Sequence, residues 1–341
     1  MSEIQTELSA AKDRPLVTFL LLAYNQEKYI EEAVNGVLSQ TYFPLEIIVS
    51  DDYSADRTYE LAQNVIKRYS GSHTVSHRRS EENLGIGRHL NELFSLANGE
   101  LIVLGAGDDV SLPERVDELV ACWIASGRRY DSLWSSVFLI DETGCEVGLQ
   151  LSGVSNDSIE DQTLRFVPNV LGCAHAITKR LYDRFGRLND DVVYEDRALA
   201  FRSLISGGHG CVDKPLLKYR VHSDSISHQF RSQSRRSRST ERLEKHRLHL
   251  SRLEAVLNQY CLDLVASRTI PGLSCPVDQI NTSIAKKKKQ IYVESLLSSA
   301  KISERLKGFR LAIVEPSKNL RDLLKCILML VNPVIPFSIR R

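Results

Sequence analysis

The sequence has no marked excess of either charge, no cysteine pairing motif and no apolar run at its start. Its 341 residues include 44 Lys and Arg against 43 Asp and Glu, so the chain has no overall basic field that would attract nucleic acid. The seven cysteines contain no C-x-x-C pair, which is typical of reduced thiols rather than of a disulfide framework or a zinc site. The opening stretch MSEIQTELSAAKDRP is polar, unlike a signal peptide or a membrane anchor. We therefore expect a cytoplasmic protein that does not bind nucleic acid.

From residue 15 onward, four apolar runs alternate with four amphipathic segments, which is typical of a parallel sheet covered by helices. The runs lie at 17–22, at 45–49, around Val75 and at 101–104. The pattern predicts an α/β fold with a Rossmann-like, mostly parallel central sheet over residues 15–228, after a flexible N-terminus at 1–14. Residues 229–341 are predicted to form a helical, basic C-terminal region that ends in an apolar tail.

Polar residues follow three of the predicted strands. They are Ala23, Tyr24 and Asn25 after the first, Asp51 and Asp52 after the second, and Asp108 and Asp109 after the fourth. Because ligands of an open parallel sheet bind beyond the carboxyl ends of its strands, we expect these residues to face one crevice. Four carboxylates repel one another unless a cation or hydrogen-bond donors join them, and a divalent metal bound to a diphosphate meets that need. Helix capping is the alternative for either pair, and two pairs at two strand ends favour a site.

The helix expected after Asp109 starts with the stretch Ser111-Leu112-Pro113-Glu114, which matches a capping box with proline in the first turn. An apolar stripe with helical spacing follows from Val116 to Ile124. Such a helix start would hold the loop with Asp108 and Asp109 rigidly.

The chain resembles the family 2 glycosyltransferases, which are inverting enzymes of the GT-A fold that use nucleotide-sugar donors. The resemblance covers about residues 15–228 and rests on four stretches. They are PLVTFLLLAYNQEKYIEEAVNGVLSQTYFPLEIIVSDDYSADRT, NLGIGRHLNELFSLANGELIVLGAGDDVSLPERVDELV, FGRLNDDVVYEDRALAFRSLISGG and LLKYRVHSDSIS. The enzymes that it resembles are of the bacterial cell-surface polysaccharide type, which implies a role in O-antigen or capsule synthesis.

The resemblance implies a donor nucleotide site made of Ala23, Tyr24, Asn25, Asp51, Asp52, Arg88 and Asp108. It implies that Asp109 binds Mn²⁺ or Mg²⁺, with His222 as a second candidate ligand. For His222, a packed or capping role is weighed equally. Many relatives read D-x-D-D at this place, whereas this chain has Gly105-Ala106-Gly107 before Asp108, so the first aspartate of the motif is missing.

An inverting transfer requires a base that takes the proton of the acceptor hydroxyl on the face opposite the leaving diphosphate. The resemblance implies that Asp196 is this base, with Glu195 orienting the acceptor. From their spacing alone, a role at the helix N-terminus, where the dipole favours acids, is the favoured interpretation, and the match to the family motif reverses it. The resemblance also places Gly172, Cys173 and Ala174 on the acceptor side. Cys173 is not expected to be a nucleophile, because the reaction needs none.

The C-terminal region has a different character. Basic residues crowd 231–247 and 286–289, and the apolar stretch 323–337 is interrupted by a lysine, an asparagine and two prolines. Solvated helix faces explain such basic runs most simply. A peripheral contact with the inner face of the plasma membrane is the alternative, and it would suit a lipid-linked acceptor. The sequence does not decide between a monomer and a homo-oligomer.

The sequence therefore predicts an inverting, metal-dependent glycosyltransferase. Its partners would be a nucleotide-diphospho-sugar, with UDP favoured, and a hydroxyl of a glycan or lipid-linked acceptor. A sugar nucleotidyltransferase is an alternative, but such enzymes have a glycine-rich loop after the first strand and residues 23–26 contain no glycine. A catalytically silent scaffold is a second alternative, supported only by the incomplete D-x-D motif.

Overall fold

A mixed β-sheet with helices on both faces forms the centre of the molecule. The computed structural model describes residues 14–166, 170–222, 225, 239–273, 275–299 and 301–313. The strands are β1 (Val17–Ala23), β2 (Leu45–Asp51), β3 (Thr74–Arg79), β4 (Leu101–Ala106), β5 (Val110–Ser111), β6 (Ser132–Ile140), β7 (Glu146–Gln150), β8 (His175–Thr178) and β9 (His209–Arg220). The helices of this part are α1 (Ile30–Leu38), α2 (Thr58–Ile66), α3 (Ile86–Leu96), α4 (Arg115–Ala125), α5 (Ile159–Arg165), α6 (Lys179–Phe185) and α7 (Glu195–Leu204).

The first half of the sheet is parallel throughout, in the order β3-β2-β1-β4. β1, β2 and β4 are buried on both faces because helices cover both sides, whereas β3 at the edge is polar and partly exposed. On β1, Phe19 and Leu21 pack against α1 and α4, while Leu20 packs on the opposite side against α3, α6 and α7. The carboxyl ends of β1, β2 and β4 therefore meet at one edge, as the apolar runs predict.

The second half of the sheet mixes directions. β8 joins β4 to β6 with antiparallel pairing on both sides, β9 runs parallel to β6, and β5 and β7 pair antiparallel with β9 and β6. The predicted capping box is wrong, because Ser111 belongs to β5 and pairs with Leu217 of β9. The helix begins only at Arg115, and its first turn has no side-chain cap. Pairing with a distant strand thus overrides the local capping signal.

Three further helices follow the sheet: α8 (Ser239–Ser267), α9 (Val277–Leu297) and α10 (Ile302–Ile313). Apolar residues of α8 and α9, including Leu253, Leu257 and Ile284, form one core with Phe166 at the end of α5 and Phe201 of α7. None of the helices in the described ranges combines the length and apolar character needed to cross a membrane. The apolar stretch 323–337 and the basic residues at 231–238 lie outside the described residues.

A buried ion pair fixes these helices to the sheet domain. Arg202 of α7 and Asp263 of α8 are both almost fully buried, with nitrogen–oxygen distances of 3.1 Å. The Arg202 guanidinium also donates to the carbonyl of Gly186, at 2.7 Å. Removing either partner of such a pair would leave a buried charge without its counter-charge. The pair therefore favours this particular packing of α7 against α8.

Candidate active site

Asp51, the last residue of β2, organises the loop that follows it. Its carboxylate accepts hydrogen bonds from the hydroxyl and the backbone N–H of Ser54, the latter at 2.9 Å, and it pairs with Arg79 Nε at 3.2 Å. The Arg79 guanidinium lies 5.0 Å from the ring centroid of Tyr53 and 5.5 Å from that of Tyr59. The carboxylate of Asp51 is thus engaged within the protein, and the half-exposed Tyr53 ring is the part of this loop that a ligand can reach.

Asp52 connects the end of β2 to the loop before α3. Its two carboxylate oxygens accept from the backbone N–H groups of Leu84 and Gly85, at 3.0 and 2.9 Å, and its own N–H donates to the carbonyl of Ala23 at 2.8 Å. Each carboxylate oxygen can accept a second hydrogen bond. The contact with a nucleotide base that the resemblance implies is therefore compatible with this geometry and stays a prediction.

The loop after β1 is joined to the loop after β2. Asn25 has a positive φ of 52°, a conformation that asparagine tolerates better than most residues. Its N–H donates to the Ser54 hydroxyl at 2.8 Å, and its side-chain oxygen accepts from the N–H of Ala55 at 2.9 Å. Tyr24 is half exposed beside it. Two tyrosine rings, Tyr24 and Tyr53, thus flank the carboxyl edge of the first two strands.

Asp108 and Asp109, which we call the β4 acid pair, differ in their surroundings. Asp108 faces a histidine, because its Oδ2 lies 2.9 Å from Nε2 of His222. The His222 ring is buried and tilted against the Tyr29 ring, with the two centroids 5.0 Å apart. Its Nδ1 atom is buried and has no hydrogen-bond partner among the described residues. The structure thus brings together a carboxylate and an imidazole that are separated by 114 residues.

Asp109 is the buried member of this pair. Its Oδ1 accepts from the backbone N–H of Arg220 at 2.8 Å, and the Cys173 thiol hydrogen-bonds the same carboxyl group. Burial, and then the nearby charge of Asp108, raise the pKa of Asp109 well above its usual range. Burial also lowers the pKa of the neighbouring Arg115 to about 10. Asp109 therefore lies behind Asp108, among groups that hold the turn in place.

Arg220, at the end of β9, is a residue that sequence reasoning missed. Its buried guanidinium donates to the Asp108 carbonyl (3.0 Å), to the Glu32 carboxylate (2.7 Å) and to the Asp141 carbonyl (3.2 Å). It also lies 4.6 Å from the ring centroid of Tyr29. One side chain thus fixes the turn after β4 relative to α1 and to the turn after β6. An arginine in an alternating strand resembles a solvated charge, so the sequence alone gives little signal for this role.

Glu195 and Asp196, the α7 acid pair, begin α7. Burial raises the pKa of both carboxyl groups, and the charge of Asp196 raises that of Glu195 further, well above its usual range. Arg197 acts in the opposite direction on the pKa of Asp196. The Arg197 N–H also donates to Asp196 Oδ1 at 2.7 Å. Of the two groups, Asp196 therefore ionises more readily.

The turn Gly172–Ala174 lies between the two acid pairs. A Cβ atom on Gly172 would come within 2.4 Å of Glu195 Oε1, so the absence of a side chain lets this carboxyl group approach the turn. The next residue is Cys173, whose thiol contacts Asp109. One turn thus contacts both acid pairs, and its place on the acceptor side stays a prediction.

Arg88 is the predicted donor residue with the weakest link to the crevice. It lies in the first turn of α3, is exposed, and pairs with the exposed Glu82 at 3.2 Å. The loop before α3 contacts Asp52, so Arg88 is near the predicted base pocket. Its contact with the nucleotide stays a prediction.

The fit of a divalent metal can be judged from the side chains at the end of β4. Across the described part of the chain, no three His, Cys, Asp or Glu side chains are grouped so that they could hold an ion by themselves. Asp108 and His222 supply two donors side by side. Mg²⁺ in nucleotide sites commonly takes one or two protein ligands and completes its shell with phosphates and water. These two residues therefore fit a metal that arrives with a nucleotide.

The sheet order, the crevice at the ends of β1, β2 and β4, and the second acid pair define a GT-A-type architecture. Residues 18–142 match the model of the family Glycosyl transferase family 2. The predicted family and the predicted fold class are therefore confirmed.

Similar proteins support the same assignment. Glycosyltransferase EpsE of Bacillus subtilis is 31% identical over 130 residues, which are 38% of this chain and 46% of EpsE. Abequosyltransferase RfbV of Salmonella typhimurium is 30% identical over 136 residues, 39% of this chain and 38% of RfbV. The match thus spans less than half the length of these relatives. The crystal structure of TarS of S. aureus in complex with UDP superposes with a TM-score of 0.58 at 15% identity, over 93% of this chain and 88% of that chain.

Proposed function

We propose that this chain is an inverting glycosyltransferase that moves a sugar from a nucleotide diphosphate to a hydroxyl of a glycan or lipid-linked acceptor, with Mn²⁺ or Mg²⁺. One observation carries the proposal. The β4 acid pair and the α7 acid pair contact the same turn, through the Cys173 thiol on one side and Gly172 on the other. A leaving diphosphate and an attacking hydroxyl need such a pair of sites on the two faces of the transferred sugar.

On the donor side, the proposal assigns the base pocket to Asp52 with the loops after β1 and β2, and the metal to Asp108 and His222. The cation would act as a Lewis acid on the leaving diphosphate. Asp109, for which the resemblance implies metal binding, acts in this proposal by holding the amide of Arg220 and the Cys173 thiol. Arg220 keeps the turn in position, so the donor site is organised before the nucleotide binds.

On the acceptor side, Asp196 would take the proton of the attacking hydroxyl. A base whose pKa is raised toward neutrality combines ionisation at pH 7 with a larger affinity for the proton. Glu195, which keeps its proton to higher pH, would donate a hydrogen bond that orients the acceptor. No covalent intermediate with the protein is needed, because inversion follows from one in-line displacement.

The proposal is tested by calorimetric titration of the protein with UDP, GDP and dTDP, with and without Mn²⁺. UDP is the first candidate because the structural neighbour TarS is described with UDP. We expect one nucleotide to bind in a metal-dependent way, and Asp108→Asn to weaken its binding in Mn²⁺ at least about tenfold. The matched control is Asp183→Asn, an exposed aspartate on α6, which starts beside the amino end of β4 at the opposite edge of the sheet, and this variant should bind as the unmodified protein does. Absence of binding for all three nucleotides would favour the silent scaffold.

The biological setting is proposed from the relatives. The name of RfbV describes transfer of a sugar, abequose, and the bacterial polysaccharide type of the resemblance suggests O-antigen or capsule assembly. We propose the inner face of the plasma membrane as the place of action, with residues beyond 313 as the candidate contact. A flotation assay with anionic liposomes tests this, and a full-length protein that stays wholly in the soluble fraction would contradict it.

A further inference from the structure

Next to the α7 acid pair, two cationic side chains share one aromatic ring. The guanidinium carbon of Arg197 lies 4.9 Å from the ring centroid of Phe166, and Nζ of Lys287 on α9 lies 5.3 Å from the same centroid. Arg197 also lies 5.3 Å from the ring centroid of Tyr194. Both cations are partly buried. Two like charges thus lie beside one ring, and one of them, Arg197, directly follows the proposed base Asp196 in the sequence.

These two cations interact with nearby carboxylates, Arg197 with Asp196 and Lys287 with Glu294, but form no direct ion pair with them in the described structure. Neither has a carboxylate within ion-pair distance in the described part of the chain, and the one hydrogen bond from Lys287 Nζ goes to the neutral Gln290, at 3.4 Å. Burial lowers the pKa of Lys287; the Glu294 carboxylate acts in the opposite direction, and the charge of Arg197 lowers the pKa again. An anion bound between the two cations would relieve this repulsion.

A third cation comes from α8. The Tyr194 hydroxyl is hydrogen-bonded to the Arg252 side chain and lies 2.8 Å from Nδ1 of His249. Burial lowers the pKa of His249 to about 4, so this imidazole is neutral near pH 7 and adds no charge. Three helices, α7, α8 and α9, therefore direct Arg197, Arg252 and Lys287 toward the Phe166 and Tyr194 rings.

We propose that Arg197 and Lys287 bind a phosphoryl group of the acceptor, which places the acceptor hydroxyl at Asp196. This inference rests on the proposed function and names its acceptor class. A phosphate monoester carries about −1.5 to −2 charges at pH 7. Arginine binds such a group through two parallel N–H donors, and lysine adds a compact charge. The phosphoryl group can belong to a phosphorylated glycan or polyol, or to the diphosphate of a lipid carrier.

The first test uses the unmodified full chain and methyl phosphate as the probe, without metal. Lysines are acetylated briefly with and without the probe, and modification is measured residue by residue by mass spectrometry. We expect methyl phosphate to protect Lys287 at least about fivefold, because anion binding keeps its amine protonated. Lys286, its exposed neighbour on the same helix, should change less than twofold and serves as the internal control. Equal protection of both lysines, or none at Lys287, would overturn the proposal.

The second test uses variants. Lys287→Gln and Arg197→Gln should each weaken calorimetric binding of methyl phosphate about tenfold, whereas Lys286→Gln should leave it unchanged. An equal loss of methyl phosphate binding in Lys286→Gln would mean that binding depends only on the overall charge of α9, which contradicts the proposal. Comparing glycerol 3-phosphate with geranyl diphosphate then separates a phosphorylated polyol from a lipid carrier, since the tighter ligand identifies the source.

The same samples are titrated with UDP and Mn²⁺. We expect the affinity for UDP to be unchanged in all three variants, because none of the substituted residues lies in the donor crevice. If the unmodified protein binds none of the nucleotides, the proposed function fails and the acceptor role fails with it. If UDP binds but Lys287 is not protected by methyl phosphate, only the phosphoryl site fails.

Discussion

The β4 acid pair is surrounded by hydrogen-bond donors, whereas the α7 acid pair receives few. Asp108 meets the His222 imidazole, and Asp109 accepts from the Arg220 amide. For the α7 pair, the donors in the described structure are backbone N–H groups of its own helix turn. Both pairs contain a buried acid, so burial alone does not separate them. The origin of the donors does, because those of the β4 pair come from distant parts of the chain and fix its position, whereas burial raises the pKa of an acid in both pairs.

This difference suggests a division of labour. Groups that bind a metal or a nucleotide must keep a fixed position, which the donors around the β4 pair provide. A base must instead accept a proton, and poor stabilisation of its charge increases its proton affinity. The two pairs thus fit the donor and acceptor sides of one transfer reaction, and the predictions below test that distinction from the largest expected effect to the smallest.

Asp196→Asn removes the proposed base and should lower the rate of transfer by about 10²- to 10⁴-fold. Binding of the nucleotide should not change, since the β4 pair is intact. In the unmodified enzyme, kcat/KM should rise with pH through the raised pKa of the α7 pair, because the base must be ionised. The measurement is release of the nucleotide from the donor over a range of pH. A transfer rate within threefold of the unmodified enzyme would contradict the assignment.

Asp52→Asn tests whether donor-side carboxylates also organise the fold. Asparagine has one acceptor oxygen, so its amide group would face either the Leu84 or the Gly85 N–H, of which the Gly85 N–H keeps a second acceptor, Asn83 Oδ1, at 3.1 Å. A lost hydrogen bond to this partly buried loop costs about 1 kcal/mol of unfolding free energy. Urea unfolding measures the loss, and Asp190→Asn, which removes an exposed charge, should stay within about 0.5 kcal/mol of the unmodified protein. Equal stability of both variants would show that Asp52 has no such role.

Gly172→Ala tests the contact between the turn and the α7 pair. The new Cβ would meet Glu195 Oε1 at 2.4 Å, so the flexible carboxyl group would have to move. We expect transfer activity to fall roughly tenfold, because small displacements at a reacting centre are costly. The melting temperature should change by only a few degrees. A matched control is Gly153→Ala, where an added Cβ meets no atom within 4 Å. Unchanged activity in Gly172→Ala would contradict the contact.

Glu195→Gln should have the smallest effect of these variants, and that effect should be an increase in stability. The folded-state pKa of Glu195 lies above its unfolded value, which is near 4.5. Its contribution to stability is therefore fully present below pH 4.5 and is lost as the pH rises through the folded pKa. A neutral glutamine avoids this loss, so the variant should melt higher than the unmodified protein at pH 7.5 and equally at pH 4. Equal melting at both pH values would mean that Glu195 ionises normally.

The sequence predicts the parallel half of the fold well. The runs at 17–22, 45–49 and 101–104 correspond to β1, β2 and β4, because strands buried on both faces are continuously apolar. The same alternation of strands and helices indicates that Asp52 and Asp108 share one edge. β5 has only two residues, so its sequence contains no periodicity that would predict a strand. The prediction therefore placed Ser111 in a capping box, whereas in the structure it pairs with β9.

The buried arginines could not be predicted. Arg115, Arg202 and Arg220 are among the largest fully buried side chains, yet in the sequence each resembles an ordinary surface charge. Each has a partner at least 58 residues away, as in the contacts of Arg115 with Cys173, of Arg202 with Asp263 and of Arg220 with Glu32. Local patterns carry no information about such distances. The proposed phosphoryl site at Arg197 and Lys287 could not be predicted for the same reason, because α7 and α9 meet only in the folded chain.

The late position of β9 in the chain determines when the crevice can form during synthesis and which fragments of the chain can contain it. Arg220 and His222 are the partners of Asp109 and Asp108, and β9 also supplies the strand that pairs with β5. The part of the crevice at the end of β4 therefore cannot be complete until the ribosome has released residues up to 222. A fragment cut at residue 142, where the family match ends, would contain all four aspartates of the crevice but would lack the groups that hold two of them.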